Sequence, residues 1–314
     1  MTVSRRLLST LTLTLALAAS SVQAESLRLG TASLGGAFYP MGQAIANLVN
    51  EHAGNDISMV PIVTGGSVAN PNLLGRGDVE LALTNNNLAK LALAGEGPYM
   101  AAGPIEMGAV AALHPSVLHM MVLADSDIHS FKDLKGKRVA VGPAGGGTLG
   151  FLNYLFPLND MELDDITPSF VSYSDGFSQL TDGTVDAAMA LSGYPAGAVM
   201  QAAAGAKLRF VSFAPGDLQT AIDKNPAYMK VTIPADVYGT QGDGELIGVY
   251  NMLIAPTSLE ADTVERITAA IFEHLEEFQA ENASARQIDP AMSERLAIPL
   301  HEGAKRYFER ASHQ

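Results

Sequence analysis

Short apolar runs with strand character alternate along the chain with longer segments whose apolar positions recur at helical spacing. The first set is "SLRLGTA", "YPMGQAIANLVNEH", "ISMVPIVT", "GGSVANPNLLGRG" and "VELALTN". The second set, "KRVAVGP", "GGGTLGFLNYLFPL", "PSFVSYS", "DGFSQLTDGTV" and "DAAMALSG", repeats the same logic. Such alternation predicts an α/β fold with a largely parallel sheet. Two successive α/β units predict two lobes, although a single α/β domain carrying an insertion would give the same pattern.

Between the units lies "MGAVAALHPSVLHMMVLADSDI", two apolar runs flanking His114, Pro115 and Ser116. A run of this length predicts a strand that leaves the first lobe and crosses into the second. Later, "TIPADVYGTQGDGELIGVYNMLIAP" predicts the return crossing, and "LEADTVERITAAIFEHLEEFQA" predicts one long amphipathic helix. Two crossings make a hinge, and the cleft between hinged lobes is where a ligand binds. The expected division is residues 25–115 with 248–314 in one lobe and 116–247 in the other.

The N-terminal segment follows another rule. Arg5 and Arg6 precede the apolar run from Leu11 to Ala19, and small residues stand at Val22 and Ala24. This is the pattern of a cleavable secretory signal peptide over residues 1–24, cut after Ala24, which predicts a periplasmic protein. "SRRLL" leaves export by the Sec or the twin-arginine route open. The apolar run falls short of the roughly 20 residues that a membrane anchor needs.

Composition then narrows the function. The 314-residue chain has 33 acidic and 19 basic side chains, a net charge of −14 that becomes −16 when the leader takes Arg5 and Arg6 with it. That balance argues against nucleic-acid or anionic-membrane partners. Cysteine is absent, which excludes disulfides, thiol catalysis, cysteine-bound zinc and a lipid anchor on cysteine.

Three glycine turns carry the candidate chemistry. "GTASLGGAFYP" ends in Pro40, suited to the first turn of a helix whose N-terminus presents unpaired N–H groups. "TGGSVAN" places Ser67 as a candidate helix N-cap, and "GPAGGGTLGFLNY" repeats the device with Thr148 at the turn. None is a nucleotide fingerprint: GxGxxG with its ribose-binding acid is missing, and so is the GK[ST] ending of a phosphate loop. Asn85, Asn86 and Asn87 close a predicted strand, and at the carboxyl end of a strand such side chains can face a cleft. Asp175 in "YSDGFSQL" reads as a helix-start acid. The histidines, His52, His114, His119, His129, His274, His301 and His313, show no zinc-like spacing, and HExxH and GxSxG are absent. The expectation is a binding protein without metal or cofactor, not an enzyme.

In order along the chain, "LGTASLGGAFYPMG", "TGGSVANPNLLGRGDVELALTNN", "IHSFKDLKGKRVAVGPAGGGT", "LTDGTVDAAMALSGYPAGAV" and "IPLHEGAKRYFER" resemble the TAXI-type solute receptors of tripartite ATP-independent periplasmic (TRAP) transporters. The resemblance implies a type II periplasmic-binding-protein fold that closes on a small solute and hands it to the membrane permease subunits. It implies ligand-facing roles for Gly35, Tyr39, Gly66, Ser67, Asn85, Asn87, Thr148 and Tyr194. Where relatives often read Gln-Asn-Asp this chain has three asparagines, and Ala32 and Ser33 stand where glycines are common. A receptor for an ATP-driven importer and an exported enzyme are the competing functions. A monomer is expected. The turns offer N–H groups and helix N-termini without a cationic side chain, so the expected ligand is a small carboxylate: a dicarboxylate, a 2-oxo acid or an acidic amino acid.

The leader carries a direct prediction. The exported protein should have the intact mass of a chain beginning at Glu25; a full-length species held in the membrane fraction would refute cleavage.

Overall fold

The computed structural model describes residues 25–214 and 216–312; the predicted leader lies outside them. The chain runs β1 (Glu25–Gly30), α1 (Phe38–His52), β2 (Ile57–Ile62), α2 (Ala69–Gly75), β3 (Leu81–Asn85) and α3 (Asn86–Ala94). A 17-residue strand, β4 (Met107–Leu123), follows. Next come β5 (Arg138–Ala140), α4 (Gly147–Leu158), β6 (Thr167–Ser169), α5 (Tyr173–Thr181), β7 (Ala187–Ser192), α6 (Gly197–Gly205), β8 (Leu208–Phe210), α7 (Asp217–Lys224) and β9 (Tyr228–Ile233). The return strand β10 (Gly244–Pro256) leads into α8 (Ala261–Glu273), α9 (Leu275–Glu281) and α10 (Glu302–Ala311).

The strands join in the order β2-β1-β3-β10-β4-β7-β5-β6, with β8 beside β4 and β9 beside β10. Pairing is parallel within each half, β1 with β2 and β3, and β5 with β6 and β7. Every pairing that involves β4 or β10 is antiparallel. The expectation of a largely parallel sheet is therefore corrected: the two crossing strands run side by side, and each half hangs on one of them.

Burial divides the apolar residues accordingly. One core draws on β4 from Val117 onward, β5, β7, α4, α5 and β10 up to Val249. The other half has a core on each face of its sheet, because successive strand side chains point to opposite faces. Leu81 and Leu83 of β3 enter one, with α1 and α8, while Ala82 between them enters the other.

The crossing itself is polar. The β4–β10 register slips between Tyr250 and Met252 and again between Leu253 and Ile254, and a bulge of this kind accommodates Pro115 within a strand. The freed Asn251 sits fully buried. Its Nδ2 donates to the His114 carbonyl at 2.7 Å, and its Oδ1 accepts from Asn85 Nδ2 at 2.7 Å. His114 is buried on β4 with its ring edge-on to Phe38. Five positions on, His119 bridges the Val117 carbonyl and the Tyr238 hydroxyl.

The predicted single helix over 259–280 is two. His274 takes φ −115° and ψ 32°, outside the helical region, and so ends α8 and begins α9. Its ring stacks on His52, centroids 3.5 Å apart, a tertiary contact that the helical periodicity does not reveal. Among the described residues no helix is long and apolar enough to cross a membrane.

The crossing histidines make stability depend on pH. Burial pushes His114 down to about 3 and His119 down to about 4, whereas an unfolded histidine titrates near 6.5. Between those values the unfolded chain binds protons that the native chain refuses, so stability falls as pH drops below about 6.5. Each histidine should cost about 2 kcal/mol between pH 7 and pH 5. Urea unfolding at the two pH values should show the loss, and His119→Gln should show roughly half of it. A stability that is flat from pH 7 to pH 5 would contradict this.

Candidate functional site

All three glycine turns meet where the halves touch. The β1–α1 turn supplies Ala32, Ser33 and Gly36 to Phe38, the β2–α2 turn Gly65 to Ser67, and the β5–α4 turn Pro143, Gly146 and Gly147. With Tyr173 and Leu191 they enclose a cavity of about 10 Å³, the size of one water, and its walls carry no charged side chain. α1 begins at Phe38 with Pro40 in its first turn, and α4 begins at Gly147. Both helices therefore present their N-terminal ends to this cavity, the end that favours negative charge.

Glycine lets the backbones come this close. A Cβ on Gly145 would lie 3.1 Å from the Ala69 Cβ and 3.3 Å from the Gly65 Cα, all on the opposite half. Gly35 and Gly66 also hold φ of +93° and +105°, conformations that side chains disfavour. The turns then use their own polar groups on one another. Val68 and Ala69 N–H donate to the Gly145 carbonyl at 3.1 and 3.2 Å, and Ala198 N–H donates to the Gly35 carbonyl at 2.9 Å. Ala37 N–H, at the start of α1, donates to Ser192 Oγ at 2.8 Å. Val68, Ala69 and Ala37 N–H thus already hold acceptors from the opposite half, while Gly66 and Gly146 N–H bond within their own turns.

The residues singled out in the sequence fall into three groups. Gly66 and Ser67 line the cavity. Ser67 is not the cap of α2: that position is Val68, without a side-chain bond, and the tight approach to Gly145 supplies the acceptor instead. Gly35 borders the same contact from outside, where a Cβ would meet Ser174 Oγ at 2.5 Å.

Asn85 and Thr148 stand behind the walls. Asn85 is fully buried in the crossing network, and its Oδ1 has no hydrogen-bond partner. That oxygen lies 2.7 Å from where a Cβ of Gly147 would be. Thr148 Oγ1 bonds to the Tyr173 hydroxyl at 2.9 Å and accepts from Leu191 N–H at 3.1 Å, so it fixes the Tyr173 ring that forms one wall. Burial raises the affinity of that phenol for its proton.

Asn87, Tyr39 and Tyr194 lie off this cavity. Asn87 Nδ2 donates to the Tyr228 hydroxyl at 3.0 Å across the halves, in a second cleft of about 1010 Å³. The Val68–Gly145 contact separates the two spaces, with Ser67 and Gly146 on the small one and Val68 and Ala144 on the large one. Tyr39 is half-buried on α1. Tyr194 receives Gln287 Nε2 on its carbonyl at 2.7 Å, another bond between the halves. Asp175 shares a bond with Ser172, whose hydroxyl also caps α5 by accepting from Asp175 N–H, so its role is at the helix start.

Sequence reasoning missed Ser33, Tyr173 and Ser192. Ser33 lines the cavity with a buried hydroxyl that has no partner. Nothing in its spacing marks it, whereas Tyr173 follows the Ser172 cap and was readable as a helix start.

Comparison with known proteins places this geometry. The model of the NMT1-like family matches residues 29–311, so the chain belongs to that family. Its structure is similar to that of MatC from Rhodopseudomonas palustris with bound malate, at a TM-score of 0.57 and 14% identity, over 92% of this chain and 97% of that one. A protein from Bordetella bronchiseptica RB50 matches at 0.53 and 14% identity, over 90% of this chain and 82% of that one. The periplasmic aliphatic sulphonate binding protein SsuA from Escherichia coli matches at 0.47 and 16%, over 92% and 94%. The fold is the two-lobe α/β fold of periplasmic binding proteins.

Gly145→Val should prop the halves apart without touching either core, since the contacts of its side chain all belong to the opposite half. Small-angle X-ray scattering should give a larger radius of gyration than the unsubstituted chain, with far-UV circular dichroism unchanged. Equal radii would mean that the glycine contact does not set closure.

Proposed function

We propose that this member of the NMT1-like family is a periplasmic solute receptor of the TAXI type, which closes its two lobes on a small carboxylate and delivers it to the permease subunits of a TRAP transporter. The observation that carries the reading is the meeting of three glycine turns and two long helix N-termini at one cavity without a charged wall. Such a place favours an anion through backbone N–H groups and helix dipoles. An ammonium would need a carboxylate there, and none lines it.

The two bodies in this reading are residues 25–115 with 248–314 and residues 116–247, hinged at the β4–β10 crossing. The separation of the cores supports that division. Opening breaks the Val68, Ala69 and Ala198 bonds, and a bound carboxylate takes the place that the Gly145 carbonyl holds in the closed arrangement. Gly35, Gly66 and Ser67 from one side and Gly146 and Gly147 from the other then surround the ligand, with the Ser33 hydroxyl as a further donor. The malate held by MatC is a dicarboxylate, in keeping with this ligand class.

No acid, base and nucleophile are brought together at the cavity, so binding and delivery, rather than chemistry on the solute, is the function supported. Calorimetry with dicarboxylates, 2-oxo acids and acidic amino acids, beside their amides and the corresponding amines, tests the ligand class. A charge-assisted hydrogen bond contributes about 1.5–3 kcal/mol, so Ser67→Ala should weaken binding of the preferred carboxylate by about tenfold or more. Tight binding of an amine with none of any carboxylate would overturn the anion reading. In proteoliposomes with the permease, uptake driven by ATP rather than by an ion gradient would overturn the TRAP assignment.

A further inference from the structure

At the far end of α1 from the cleft turn, about 22 Å away along the helix, two imidazoles and a carboxylate come together from segments more than 200 residues apart. His52 Nε2 lies 3.0 Å from Glu277 Oε2, and His274 Nδ1 lies 3.8 Å from the same oxygen. The three potential ligand atoms are all within 4.8 Å of one another. Around a tetrahedral zinc ion with bonds of about 2.0–2.1 Å, neighbouring ligand atoms stand about 3.3 Å apart. The two distances to the carboxylate already bracket that spacing.

The backbone supports a positive charge at this point. His52 is the last residue of α1 and His274 follows the last residue of α8, so two helix carboxyl ends lie at the imidazoles; the short α9 starts at the same residue and its N-terminus faces Glu277, in its first turn, so the helix ends partly offset one another. The break that divides α8 from α9 occurs at His274 itself and brings its ring parallel to His52, 3.5 Å between centroids. Glu277 sits one turn into α9, on the same face as His274. Bond formation requires the His274 ring to turn out of the stack so that its lone pair meets that of His52; its side chain is 37% exposed, which leaves room for that rotation and for solvent to complete the coordination. Metal binding at His52 Nε2 requires the ring to carry its proton on Nδ1 instead, leaving Nε2 as the lone-pair donor.

We propose that His52, His274 and Glu277 form a binding site for a divalent cation of the zinc class, separate from the solute cleft. Two imidazole nitrogens and one carboxylate oxygen suit zinc and its late first-row neighbours better than magnesium or calcium, which prefer all-oxygen sites. The site holds α1 to α9 in the outer part of the first lobe, and it does not depend on which solute the cleft takes.

Isothermal titration of the tag-free chain beginning at Glu25, stripped with chelator, with zinc chloride tests it. Saturable uptake of one zinc per chain is expected, weakened at least about tenfold by His274→Gln and by Glu277→Gln, with no comparable uptake of magnesium. Circular dichroism of each variant without metal confirms its fold, and anomalous scattering at the zinc edge locates the ion. Uptake that is unchanged in both folded variants, an ion located elsewhere, or no saturable uptake by the unsubstituted chain would overturn the site. Should His274→Gln fail to fold, the comparison rests on Glu277→Gln, whose side chain is 46% exposed. Carboxylate binding in the cleft is expected to be unaffected in either variant, so failure of the metal site and failure of the receptor reading are read out separately.

Discussion

Everything else in this molecule hangs on the buried amide of Asn251. Two strands pass between the halves, and a bulge in β10 turns this side chain inward, where it joins the His114 carbonyl of β4 to Asn85 at the end of β3. Loss of that amide would leave a buried carbonyl and a buried amide group without partners, at roughly 1–3 kcal/mol each. A purely apolar crossing would pack as well but would not fix the register, because a slip of one residue exchanges the faces of every following side chain. The polar crossing thus sets where β3 ends. From that end Asn85 Oδ1 faces the start of α4, so the strand crossing and the cleft share one side chain.

Closure depends on the absence of side chains. At Gly65 and Gly145 the two main chains approach to a separation at which even a methyl group meets atoms of the opposite half. Main-chain groups are placed by the fold rather than by rotamers, so the donors at these turns lose little freedom on meeting an acceptor. An anion site of the proposed kind would need no arginine or lysine.

Much of this was legible in the sequence. The alternation of strand and helix segments gives the elements in order, and the two long apolar runs around His114 and Tyr250 are the long strands β4 and β10. The glycine turns were visible because glycine before a helix has few other uses. The direction of pairing was not legible: apolar runs show burial, and β4 and β10 are buried whichever way they pair. The break at His274 was hidden because the ring it stacks on, His52, lies more than 200 residues away in sequence and leaves no mark on the local periodicity. Of the candidate cavity, only part of the lining was legible, for the same reason. Turn chemistry marks Gly66 and Ser67, but which side chains stand behind a wall, as Thr148 does, or across a separate cleft, as Asn87 does, is decided by packing between the halves. Ser33, with no signature of its own, enters the cavity because Gly35 and Gly36 bend the chain there.

Affinity at such a site is a difference between two sets of hydrogen bonds. The closed molecule already satisfies Val68, Ala69 and Ala198 N–H with carbonyls and Ala37 N–H with a hydroxyl. A neutral solute that replaced those acceptors would gain almost nothing, because one neutral bond is exchanged for another of similar worth. A carboxylate replaces neutral acceptors with a charged one, and bonds to charged groups contribute about 1.5–3 kcal/mol against about 0.5–1.5 for neutral pairs. On the proposed carboxylate reading, the self-contact of the turns would act as a filter for charge: uncharged solutes would gain little by displacing it, and an anion would gain with every donor it captures. On that reading the same contact would fix the direction of coupling, since a ligand that displaces the Gly145 carbonyl must enter while the halves are apart and can hold them together only by contacting both.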